Sequence, residues 1–150
     1  MALVPPANEV IGVDSSGAML DAFVEASTAA GVPRRTVHGS WPEVTPTTPP
    51  ADVVVCHHVV YNVADIVPFV LALTIRARLA VVVELPVEHP MSAWSEGLRH
   101  FWGIERPDRP HLHDFIAVLR ELGLEPEFTT SPRSPLSQAG SDPELFLATA

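Results

Sequence analysis

Residues 9–20, EVIGVDSSGAML, restrict the fold of this chain more than any other stretch. Val10, Ile11 and Val13 are β-branched and Gly12 permits close backbone approach, so residues 9–13 read as a strand. A single carboxylate, Asp14, ends it. Ser15 and Ser16 offer helix-capping hydroxyls before a run in which Met19, Phe23, Ala26 and Ala30 recur at helical spacing. Gly31 and Pro33 then stop the helix. A strand that turns at once into a helix through one acidic residue is the unit of an alternating α/β chain.

The rest of the sequence continues that alternation. Residues 35–38 form a second short strand closed by Gly39, Ser40 and Trp41, and the proline-rich 42–51 is an irregular connection. The apolar run 53–56 suits a parallel strand covered on both faces. Asp65 caps a helix to about residue 78 that is apolar almost all round and expected to be buried. Residues 79–85, LAVVVEL, are the most strand-like run, ended by Pro86. A helix from Ser92 puts Trp94, Leu98 and Phe101 on one face, expected to pack with Trp102 onto the sheet. Residues 111–122 make another helix with Phe115, Ile116, Leu119 and Leu122 inward, and 125–129 a last strand. Residues 1–8 are a lead-in. The Pro/Ser/Gly-rich tail, 131–150, can begin one short closing helix at Asp142 and Pro143. The expected architecture is a single α/β domain over 1–150, an open, mostly parallel sheet with helices on both faces.

Composition narrows the function classes. A formal net charge of −9, with nine basic residues that are all arginine and no basic cluster, argues against a nucleic-acid partner and for a small molecule. No apolar run approaches the roughly 20 residues of a membrane span, and the N-terminus lacks the basic start of a signal peptide. A cytoplasmic location is therefore expected, and the lone Cys56 suits a reducing compartment.

In a sheet of this kind ligands sit beyond the carboxyl ends of the strands. Asp14, Ser40 with Trp41, Cys56 with His57, and Glu84 all fall at such ends. VIGVDSSGAML resembles the second motif of class I S-adenosylmethionine-dependent methyltransferases. HGSW occupies the place of the third, ADVVVCHHVVYNVAD is similar to the fourth, and VVVELP follows as the fifth strand. The likeness runs over about residues 9–130 and implies a Rossmann-like methyltransferase fold, with S-adenosylmethionine as cofactor and a small-molecule methyl acceptor. By the same resemblance Asp14 would hold the two ribose hydroxyls. Ser15 and Met19 would flank the sugar and adenine, Ser40 and Trp41 would border the adenine ring, and Cys56 and His57 would lie beside the methionine portion. His57 or His58 could act as general base, since an unperturbed imidazole titrates near 6.5, although nothing in the sequence shows a partner to orient either ring.

One departure from the family pattern is serious. The glycine-rich GxGxG loop that should precede Asp14 is missing: the eight glycines, at 12, 17, 31, 39, 97, 103, 123 and 140, never lie two apart. The family's order places the first strand between the second and the fourth, so its loss would leave two unpaired edges. Three outcomes are open: the chain is a truncated product lacking the first strand and helix, the neighbouring strands pair directly, or another chain fills the gap. A weak or inactive methyltransferase is expected, with association into a homo-oligomer favoured by the unfilled edge. A non-catalytic methyltransferase-like module is the first alternative. A nicotinamide dinucleotide oxidoreductase is the second, because it too needs an acidic residue after the second strand.

Other residues weigh less. Asp14 alone is also a plain capping side chain, and Trp41 a plain packing aromatic. Tyr61 reads as a lid or packing residue and Cys56 as a small buried hydrophobe. His111, His113 and Asp114 open a helix, where caps are ordinary and residues two apart face different ways, so no metal site is expected. Glu84, Glu88 and His89 either line a substrate opening or are solvated loop residues.

Overall fold

The computed structural model describes residues 7–87, 92–105, 110–130 and 143–149; for 92–94, 96, 130 and 143–149 only the backbone is described. The chain divides into two compact units, Met1–Pro50 and Ala51–Ala150.

The first unit is a strand–helix–strand. Strand β1, Val10–Asp14, runs parallel to β2, Arg34–His38, with Val10 opposite Arg34 and Asp14 opposite His38. Helix α1, Gly17–Ala29, joins them. Its inward stripe is Leu20, Phe23, Val24 and Ser27, whereas Met19, Ala26 and Ala30 are exposed. Of the expected face only Phe23 turns inward. Gly12, having no Cβ, lets the Phe23 ring settle directly on β1. Ser27 is fully buried, and its hydroxyl donates to the Phe23 carbonyl at 2.6 Å, so the polar group is satisfied inside the helix. Gly31, at φ +67, closes α1 in the left-handed conformation that glycine adopts without strain.

The second unit is a four-stranded sheet in the order β3-β4-β6-β5. Strands β3, Ala51–His57, and β4, Ala77–Pro86, are parallel and joined by helix α2, Ile66–Arg76. Helices α3, Ser92–Trp102, and α4, Leu112–Glu121, follow, then β5, Pro126–Thr130, and β6, Pro143–Thr149. Strand β6 runs antiparallel to both β4 and β5. The core is made of Val81, Val83 and Leu85 of β4, Phe69, Val70 and Leu73 of α2, and Leu112, Phe115, Ile116 and Leu119 of α4. Each such side chain, taken out of water, contributes about 1.5–3 kcal/mol.

Four expectations need correction. Residues 143–149 form a strand instead of a closing helix, because PELFLAT meets the open sides of both β4 and β5 and the ladder outweighs any local helix signal. Helix α2 is not buried all round. Val67, Leu71 and Ile75, spaced four apart, lie on an exposed stripe, and Phe69, Val70, Ala72 and Leu73 face inward. Strand β3 is not covered on both faces, since Val53 is 44 % exposed. Phe101 and Trp102 do not pack onto the sheet either: they are 73 % and 69 % exposed and meet each other edge-on with centroids 5.8 Å apart. Trp94, Glu88, His89 and the lead-in residues 1–6 lie outside the described side chains.

Among the described residues no ladder joins β1 to β3, which belong to separate sheets. Among the described residues no helix is long and apolar enough to cross a membrane.

Candidate functional site

The first unit ends β1 on Asp14. Its Oδ1 accepts the Ser16 N–H at 2.8 Å, forming an Asx-type turn that swings the chain from strand into helix. Ser16, not Asp14, is the helix cap, with its hydroxyl accepting from the Met19 N–H at 3.4 Å. The capping alternative for Asp14 is thus only half true: one oxygen shapes the turn, and Oδ2 takes no hydrogen bond from the described residues. Asp14 is half-buried and Ser15 is exposed. Met19 is 59 % exposed, a consequence of the rotation that brings Leu20 and Phe23 inward.

His38 went unnoticed in the sequence. It stands opposite Asp14 in the β1–β2 register, and its Nε2 lies 3.0 Å from the Ser15 carbonyl, so it braces the turn that presents Asp14. No sequence signal gave this pairing, which exists only through the β1–β2 register.

Beyond His38 the chain passes through Gly39, whose N–H donates to the Asp14 carbonyl at 3.0 Å. Gly39 has φ +150, and a side chain there would run into the Val44 side chain, so the position requires glycine. Ser40 is exposed and its carbonyl accepts the Val44 N–H at 3.1 Å. Trp41 is half-buried and precedes a cis bond to Pro42. Asp14, Ser15, Ser40 and Trp41 are therefore all carried by the turns at the carboxyl ends of β1 and β2.

The second unit has its own cluster. Strand register sets His57 of β3 beside Glu84 of β4 and Cys56 beside Val83. Because side chains alternate along a strand, Cys56 turns into the core while His57 and Glu84 share the opposite face. His57 Nδ1 lies 3.0 Å from Glu84 Oε2, and His58 Nε2 lies 3.8 Å from Oε1. His58 turns the chain out of β3 at φ +54, and its N–H donates to the Glu84 carbonyl at 2.8 Å. Both imidazoles are about half exposed, so the ion-pair geometry adds only ~0.2–1 kcal/mol and orients more than it stabilises. Glu84 is the orienting partner that the sequence did not reveal for His57. Among the described residues no group of three His, Cys, Asp or Glu side chains is placed to hold a metal ion.

Cys56 is buried and burial pushes its thiol up to about 12. It is a packed hydrophobe at neutral pH, with no thiolate to offer. Burial also raises the Tyr61 phenol, and Tyr61 has an interaction partner of its own. His111, His113 and Asp114 are a helix start: the His111 N–H donates to Asp114 Oδ2 at 2.8 Å and His113 faces solvent.

The strand order and the antiparallel β6 inserted beside β4 define the fold of class I S-adenosylmethionine-dependent methyltransferases. Solved structures of that class superpose on nearly the whole chain. Magnesium protoporphyrin IX methyltransferase from Synechocystis PCC 6803, crystallised with bound SAH, matches at TM-score 0.65 and 13 % identity over 93 % of this chain and 62 % of its own. The methyltransferase domain of bacterial CtHen1 matches at 0.63 and 17 %, over 95 % and 77 % of the two chains. A SAM-dependent methyltransferase from Archaeoglobus fulgidus matches at 0.57 and 13 %, over 97 % and 87 %. No family model and no curated protein matches the sequence.

Proposed function

We propose that this chain binds S-adenosylmethionine and transfers its methyl group to a small-molecule acceptor, with low cofactor affinity. The observation that carries the reading is Asp14, a carboxylate at the carboxyl end of β1 with one oxygen committed to the turn and the other open. A carboxylate offers about four acceptor sites, enough for two ribose hydroxyls beside the Ser16 N–H. The shared fold supports the same cofactor, since one of the structural neighbours holds SAH.

Ser15, Ser40 and Trp41 are the companions of Asp14 in this reading, and Trp41 supplies the aromatic surface an adenine would stack against. Met19, exposed on α1, has the weakest claim among them. By the family resemblance Cys56 and His57 lie beside the methionine portion and its methyl, and His57 is the candidate proton acceptor, whereas Cys56 is packed in the core of the second unit. Low affinity follows from the glycine positions, none of which supplies the loop for the cofactor's amino-acid end. That same lack favours the second reading, a methyltransferase-like binding module without turnover. A net charge of −9 without a basic cluster in the sequence supports a small-molecule acceptor over nucleic acid, and a cytoplasmic setting goes with the lone cysteine. The edges of β1 and β3 that have no ladder partner among the described residues support association of copies, which light scattering would register.

Calorimetry with S-adenosylmethionine and S-adenosylhomocysteine tests the reading. Micromolar binding of either is expected, lost in Asp14→Ala and weakened about tenfold or more in Asp14→Asn. The asparagine keeps an oxygen for the Ser16 N–H, so its unfolding should stay within about 0.5 kcal/mol of the parent. Absence of binding to both compounds overturns the proposal, and binding without any labelled-methyl transfer selects the module.

A further inference from the structure

We propose that Glu84 is a positioning residue for His57: it takes the Nδ1 hydrogen and leaves Nε2 bare as a proton acceptor, which suits a hydroxyl-bearing methyl acceptor. This rests on the methyltransferase reading above. Glu84 Oε2 lies 3.0 Å from His57 Nδ1 as an ion-pair contact, and because a carboxylate only accepts, that proximity favours the hydrogen on Nδ1 of the neutral ring. A neutral imidazole has one N–H, and Nε2 is then the acceptor nitrogen. The parallel register holds the two residues side by side, and the 2.8 Å bond from the His58 N–H to the Glu84 carbonyl ties the end of β3 to β4 at that point. His58 is not held in the same way, because 3.8 Å is too long for a hydrogen bond.

The pairing selects an acceptor class. An amine or thiolate with a free lone pair needs only proximity and alignment, whereas an alcohol or phenol must shed a proton as it reacts. In that step the acceptor O–H gives its proton to His57 Nε2. The freed oxygen pair forms the bond to the methyl carbon while the sulfur–carbon bond breaks with its pair going to sulfur. One positive charge leaves the sulfonium and one appears on the imidazole, where the Glu84 carboxylate faces it.

Long-range proton–nitrogen correlation spectra of the intact chain, labelled with nitrogen-15 in histidine and recorded where the rings are neutral, read the tautomer directly. His57 is expected to show a protonated Nδ1 and a bare Nε2. Glu84→Gln, whose side-chain carbonyl still accepts, should keep that pattern, and Glu84→Ala should lose it as the proton moves to Nε2. A wild-type His57 carrying its proton on Nε2 overturns the proposal, as does an unchanged tautomer in a folded Glu84→Ala. Should the alanine variant not fold, the wild-type and Glu84→Gln spectra decide alone. An Nδ1-protonated His57 in a chain that shows no calorimetric binding would sink the methyltransferase reading and leave the pair standing. Binding combined with an Nε2-protonated ring would do the reverse.

Discussion

Gly12 lies where β1 passes beneath the Phe23 ring. A Cβ placed on it would come within 2.7 Å of Phe23 Cδ1 and 2.8 Å of Cε1, closer than carbon atoms approach without displacement. We expect Gly12→Ala to cost about 1–3 kcal/mol by forcing that ring outward. In a Phe23→Ala background the same change should cost much less, and a double-mutant cycle by urea denaturation would measure the coupling. Cys56 gives a second test at this scale. Burial pushes the folded thiol up to about 12, against about 8.5 for an unfolded one, so the folded state retains the proton longer. The resulting stability is fully present below about pH 8.5 and is lost as pH rises toward 12. Tyr61, also raised by burial, adds a loss of the same sign at the alkaline end. Denaturant midpoints recorded upward from pH 8 should fall, and Cys56→Ala should flatten the part that begins first. The thiol should likewise resist iodoacetamide until the chain is unfolded.

At the scale of elements, α4 depends on its first turn, where Asp114 Oδ2 accepts the His111 N–H. Asp114→Ala removes that acceptor and a negative charge from the helix N-terminus, and should cost about 1 kcal/mol in thermal unfolding. The sequence showed β1, β2, β3, β4, β5 and all four helices, because each has a strong local period and a turn or capping residue at its ends. It also placed Asp14 at the end of β1. It did not show which way α1 is rotated, since Met19, Phe23, Ala26 and Ala30 fit a helical stripe as well as Leu20, Phe23 and Ser27 do. The choice lies in packing and not in the period: Leu20 and Ser27 are buried, whereas Met19 is 59 % exposed. For the same reason Glu84 was legible as a strand residue and not as the partner of His57, a relation that exists only through the β3–β4 register. The exposure of Phe101 and Trp102 was likewise invisible to a helical period, which says that residues share a face and not what that face meets.

Across the whole molecule the two units differ in how their sheets are supported. Strand β4 is bonded on both sides, by β3 and β6, and three of its side chains are in the core, whereas among the described residues β1 and β2 pair only with each other. Two-stranded ribbons are marginal by themselves. Native-state hydrogen exchange should therefore find the slowest amides in residues 81–85 and faster exchange throughout β1 and β2. Equal protection in the two units would contradict this ranking.

The antiparallel ladder of β4 with β6 also bears on how the protein is made. On the ribosome β3, α2 and β4 emerge well before β6 and form a local parallel pair, but the other side of β4 must wait until residues 143–149 have been synthesised. During that interval a strand rich in valine presents an open edge, the kind of surface that recruits chaperones or pairs with another nascent chain. Shortening the chain before residue 143 should therefore lower soluble yield more than a loss of eight residues would suggest, because it makes that temporary exposure permanent.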